Sequence, residues 1–129
     1  MRQAPRIFYV LTLAFLMSFS LPKSGTAEEI TPAIPVKDTV TMVDLGARSC
    51  IPCKMMAPIL VELEKEYADR AAIVFIDVWK NPDEAKKFKI MAIPTQIFYD
   101  QKGQEAFRHL GFMDKKSIVE KLEKLLAKK

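Results

Sequence analysis

Cysteine is scarce in this chain: its 129 residues include two, Cys50 and Cys53. That excludes a scaffold held together by several disulfides. A bridge across so short a separation closes a tiny loop and adds little stability through chain entropy, so the pair is not a structural brace either. Histidine is scarcer still, with His109 alone. Two thiols and one imidazole supply three ligands at most, whereas structural zinc takes four, so no metal site is expected. Long apolar runs are also lacking, since the longest, Ile7 to Leu21, falls short of the about 20 residues a membrane-spanning helix needs. No internal repeat or low-complexity tract is present. Excess charge largely disappears on inspection. The formal charge is +4, but Arg2, Arg6 and Lys23 all precede Glu28, the first acid, and without those three the rest carries +1. The basicity is therefore no sign of a nucleic-acid partner, and none is expected.

What is there begins with a leader pattern. Arg2 and Arg6 are followed by the apolar run and then by Pro22-Lys23-Ser24-Gly25-Thr26-Ala27, which ends in small residues. This reads as a secretory signal peptide over residues 1–27, cut after Ala27, and places the protein outside the cytosol, in the periplasm of a bacterium. The alternative is an uncleaved segment that anchors the chain to a membrane. No cysteine stands near the cut, which rules out a lipid anchor on that residue. About 100 residues remain, enough for one monomeric domain.

Residues 28–38, with Pro32 and Pro35, read as an extended lead-in to a domain over 39–129. Thr39 to Leu45 reads as a buried strand interrupted by Asp44. Gly46 to Ser49 is a turn. Met56, Ile59, Leu60, Leu63 and Tyr67 recur at helical spacing, and Pro58 is expected to bend that helix. Ala71 to Val78 reads as a second buried strand. Asn81-Pro82-Asp83-Glu84 starts a short helix, with Asn81 as the cap. Thr95 to Tyr99 and Gln104 to Leu110 form a hairpin around Asp100–Gly103. Asp114 caps a last helix whose apolar face is Ile118, Val119, Leu122, Leu125 and Leu126. This order predicts an α/β fold with a mixed sheet and helices on both faces. Met55, Met56 and Met91 read as core filler, His109 as an edge residue, and Trp79 as packing or a semi-exposed rim.

The chemistry sits where the first strand hands over to the first helix. A sulfur at a helix N-terminus meets free backbone N–H groups and the positive end of the dipole, so the thiolate of Cys50 is favoured and its pKa depressed. Cys50 is then the exposed nucleophile that attacks a substrate disulfide. Cys53, one turn further in, is the resolving thiol that displaces the substrate and leaves a Cys50–Cys53 disulfide. No separate cofactor is called for. For the second step Cys53 must lose a proton, and Asp44 on the strand beneath is the candidate acceptor. A carboxylate in an apolar run must be paired, wet or shifted in pKa.

At this junction the sequence resembles the thioredoxin family. Cys50-Ile51-Pro52-Cys53-Lys54-Met55-Met56-Ala57-Pro58 matches the family pattern C-G-P-C-K-x-x-A-P. Val43-Asp44-Leu45, Asn81-Pro82, Ile93-Pro94-Thr95 and Gly111 also fall where the family has them, and the likeness covers about residues 39 to 127. The resemblance implies a three-layer thioredoxin-like sandwich. It implies a cis Pro94 that sets the Ile93 backbone beside the cysteines to pair with an extended substrate, with Ile51 and Pro52 also meeting that substrate. The departures are specific. Ser49 and Gly46 stand where the family has tryptophan, Ile51 replaces a glycine, and Phe75 replaces a lysine near the buried acid, leaving Asp44 without a cationic neighbour. The family's usual first helix is missing. The expected function is an exported protein-disulfide oxidoreductase, a reductase or exchange enzyme rather than a strong oxidase. Its expected substrates are exported proteins with disulfides, apocytochromes among them, and a membrane electron-relay protein would feed it. Two other classes stay open: a copper-binding or assembly chaperone that uses the same thiols as soft ligands, and a redox-sensing adaptor.

Overall fold

The computed structural model describes residues 33–128, so the expectations for 1–27 and for the start of the lead-in fall outside the described residues. The elements are β1 (Val40–Gly46), α1 (Ile51–Glu66), β2 (Ala71–Asp77), α2 (Pro82–Lys87), β3 (Thr95–Tyr99), β4 (Glu105–Leu110) and α3 (Lys115–Leu126). The sheet order is β2-β1-β3-β4, with β1 parallel to β2 and antiparallel to β3, and β3 antiparallel to β4. The α/β expectation holds, with helices on both faces of a mixed sheet.

Strand alternation sorts the core into two halves. On one face Val40 and Met42 of β1 and Phe98 of β3 pack under Met56, Leu60 and Leu63 of α1 and Ile118, Leu122 and Leu125 of α3. On the other, Val43, Leu45, Ile97 and Tyr99 meet Phe88 just beyond α2. α1 and α3 are further joined at their far ends: the Tyr67 hydroxyl donates to Glu123 Oε1 at 2.8 Å and Arg70 to Glu123 Oε2 at 2.7 Å.

Several details differ from expectation. β2 is an edge strand, half-buried over Ala72–Phe75, because an apolar run alone does not tell a central strand from an edge strand covered by a helix. α1 begins at Ile51 with Cys50 as its N-cap, as expected, but Pro58 does not interrupt it: the helix continues to Glu66. Residues 33–39 make bends and a turn, with Asp38 at φ 55, instead of an extended lead-in. Asn81 takes the N-cap position of α2 but makes no side-chain cap. Its Nδ2 donates to the Asp77 carbonyl instead, and Pro82 has no N–H to be capped. Asp114 does cap α3, accepting from the Ser117 N–H at 3.0 Å. Among the described residues no helix precedes β1.

Gly111 closes β4 with φ +96, a conformation that a Cβ disfavours whatever the free space around it. Its N–H donates to the Pro94 carbonyl at 2.8 Å, so this turn also holds the start of β3. Gly111→Ala is expected to cost about 1 kcal/mol of stability, read as a lower midpoint in urea with an unchanged slope.

Candidate functional site

The topology brings four loops to one end of the sheet. β1 and β2 run parallel, so residues 47–50 and 78–81 leave from neighbouring strand ends. β3 starts opposite them, with Thr95 paired to Leu45, so the loop ending at Pro94 faces the exit from β1. Leu110 pairs with Thr95 and brings Gly111 alongside. Cys50 and the Ile93–Pro94 bond, which is cis as the resemblance implies, belong to these loops, and Cys53 follows in the helix that one of them opens.

Cys50 is the N-cap of α1 and Cys53 lies in its first turn; a disulfide joins them, with Cα atoms 5.2 Å apart. Cys50 is half-buried and Cys53 buried, with 4% of its surface exposed, so an incoming partner reaches Cys50 first. The Cys53 N–H points at Cys50 Sγ at 3.4 Å, and the first turn contains no acid to oppose a negative sulfur. Both features favour the thiolate. Pro52 in the first turn keeps the helix start rigid without losing a needed donor.

Gly46 explains how Cys53 comes so close to the sheet. A Cβ built there would lie 3.2 Å from Cys53 Sγ and 3.2 Å from the Phe75 ring. A tryptophan at this position would have to displace both. The space beside it is used differently: the Arg48 guanidinium stacks over Phe75, 5.6 Å from the ring centre. Beyond it a cleft of about 340 Å³ runs from Cys53 past Leu60, with Ile73 and Phe75 as its floor and Arg48 and Lys54 at its rim.

Asp77, at the end of β2, ties two of the loops together. Its Oδ2 accepts from the Arg48 N–H at 3.3 Å, and its Oδ1 accepts from the Trp79 and Lys80 N–H groups at 3.1 and 3.2 Å. Desolvation works to raise its carboxyl, but these donors and the Lys80 charge outweigh it and hold it below the usual range. Trp79, held here, is 62% exposed, an exposed rim residue rather than core packing. Ile51 and Met91 are exposed too, at 74% and 94%, and Met55 is exposed; of the three methionines expected in the core, only Met56 is there.

Asp44 is fully buried on the face of β1 that carries Met42 and Gly46, the face α1 covers. Burial pushes its carboxyl up to about 6, against the lowering effect of a hydrogen bond from Gln96. Phe75 does stand directly opposite it on β2, so no lysine reaches it from there. Its partner is one the sequence reading missed: Gln96 Nε2 donates to Asp44 Oδ1 at 2.7 Å. A second polar residue in the apolar run Thr95–Tyr99 was the available signal. The pairing of the two strands, which sets Gln96 beside Asp44, was not available from sequence.

Comparison with known proteins agrees with this geometry. The family model described as Thioredoxin matches residues 23–124. Thioredoxins from several strains of Staphylococcus aureus are 42% identical over 91 residues, covering 70% of this chain and 86% of theirs. A crystal structure of chloroplastic thioredoxin z superposes with a TM-score of 0.64 at 33% identity, covering 70% of this chain and 80% of that one.

Proposed function

This chain belongs to the thioredoxin family, and from that premise we propose that it is a protein-disulfide oxidoreductase serving exported proteins as a reductase or exchange enzyme. The observation that carries the reading is the half-buried Cys50 at the N-cap of α1, bonded to a buried Cys53 one turn in. Family members act on disulfide-containing proteins, and the apolar rim of Ile51, Trp79 and Met91 around the pair suits an unfolded or extended client. The leader-like residues 1–27 support the exported setting, and a membrane electron-relay protein would return electrons to the pair.

The reaction balances as two exchanges. Starting from the dithiol, Cys50 thiolate attacks one substrate sulfur. A mixed disulfide forms, and the other substrate sulfur leaves as a thiolate that takes a proton from water. Cys53 gives its proton to Asp44, and its sulfur attacks Cys50. The second substrate sulfur leaves as a thiolate and takes a proton from water, so the substrate departs as a dithiol and the Cys50–Cys53 disulfide forms. Two electrons pass to the substrate. Ile93 and Pro94, with Ile51 and Pro52, form the surface that holds the substrate strand during both steps.

Trapping tests this reading. A Cys53→Ser variant expressed with its leader stalls at the mixed disulfide, and exported proteins with disulfides are expected on Cys50. A trap that captures only cytosolic proteins would remove the exported setting. An empty trap would remove the client reading.

A further inference from the structure

Gln96 has no exposed surface, and it sits mid-sheet between Thr95 and Ile97, where neighbouring positions carry the core. Burying a primary amide is costly unless its hydrogen bonds are made. Among the described residues one is made, to Asp44 Oδ1, and two buried side-chain oxygens are left without a partner: Asp44 Oδ2 and Gln96 Oε1. Asp44 and Gln96 are paired in register across β1 and β3, so their side chains stand on one face. Two residues along that face from Asp44, the Cβ direction of Gly46 meets Cys53 Sγ, so Asp44 lies about 7 Å along the strand from the position under the resolving sulfur.

We propose that Gln96 is a positioning residue for proton transfer at Cys53: its amide holds the Asp44 carboxylate by Oδ1 and leaves Oδ2 as the open basic oxygen beneath α1. The proposal rests on the reading that Asp44 receives the Cys53 proton. It gives the Phe75 departure a physical sense. With no cation opposite, Asp44 depends on a neutral donor, which orients the carboxylate and moderates the effect of burial without pairing its charge. The groups in register with Asp44 across the sheet are Phe75 from β2, Gln96 from β3 and, one strand beyond Gln96, His109 from β4; α1, which brings Cys53 over Gly46 and packs Met56 beside Met42, covers the same face. Arg48, Lys54 and Glu64 line the cleft on the β2 side of Cys53. Cys53 and His109 are the titratable members of the face itself, so both enter the test.

The experiment compares full-length chains carrying Gln96→Leu, Gln96→Met, Asp44→Asn or His109→Asn with the unaltered chain. Carbon-13 carboxyl NMR follows Asp44 in the disulfide form. Stopped-flow kinetics follow resolution of a preformed mixed disulfide at Cys50 from pH 5 to 9. With Gln96 replaced, the Asp44 midpoint is expected to rise by roughly one pH unit, the worth of a hydrogen bond to a charged group. The acid limb of the resolution rate should rise with it, and the rates should converge at high pH. Leu and Met variants bracket the packing change, and a merely structural glutamine would shift neither midpoint nor limb. An unmoved Asp44 midpoint in a folded Gln96 variant overturns the proposal alone. A pH limb that moves in His109→Asn in place of the Gln96 variants also overturns it. A resolution rate unchanged at every pH in Asp44→Asn overturns the reading of Asp44 on which it rests.

Discussion

Replacing Asp44 with asparagine is expected to stabilise the disulfide form by about 3 kcal/mol at pH 8 and to leave it nearly unchanged at pH 4. In the unfolded chain this carboxyl ionises near 3.8, whereas in the fold burial holds its proton to about 6. Between those values the native state binds more protons than the unfolded one, so native stability falls as pH rises. Below the lower value the group is neutral in both states and costs nothing extra; above the upper value the full penalty of roughly two pH units applies. Asparagine keeps the shape and can still meet Gln96, but it never ionises. Denaturant titrations of both proteins at pH 4, 6 and 8 read the difference, and the shared pH dependence of all other groups cancels. Equal stabilities at pH 8 would mean that Asp44 carries no burial penalty and that another carboxylate property accounts for its place in the core. A residue that weakens the fold in this way is consistent with selection for a proton acceptor rather than for packing.

Cys50→Ser is expected to lower turnover of a protein disulfide by at least roughly a thousandfold while the fold persists. Cys50 is the sulfur within reach of a client, and Cys53 beneath it is buried. A serine hydroxyl at the N-cap still accepts from the Cys53 N–H and caps α1 well, so stability should fall little. Insulin precipitation with a dithiol donor measures the rate, and circular dichroism reports the fold. A Cys50→Ser chain that retained most of its activity would make Cys53 the attacking thiol and reverse the assignment of roles.

The order of elements and the place of the cysteines were legible because each rests on a local signal. The apolar, β-branched run of β1, the apolar spacing of α1 and α3, the cap at Asp114 and the turn at Gly103 are each written within a few neighbouring residues. What was not legible depends on which strands lie side by side. Ala71–Asp77 reads as buried whether it is central or at an edge beneath a helix. Asn81 has the composition of a cap, yet its amide is drawn to the Asp77 carbonyl by a turn that sequence does not reveal. Met55 and Met91 have the hydrophobicity of core residues, and their loops and helix face turn them outward. Gln96 is the most consequential case. Its meaning lies wholly in the register that sets it against Asp44, 52 residues earlier in the chain.

The most direct measurement mixes the reduced chain with a disulfide-bonded protein under anaerobic conditions and counts thiols on each partner by mass spectrometry after alkylation. The account predicts that the client gains two thiols for each pair lost at Cys50 and Cys53, with a transient adduct at Cys50 alone. A client that keeps its disulfide while this chain keeps both thiols would contradict it.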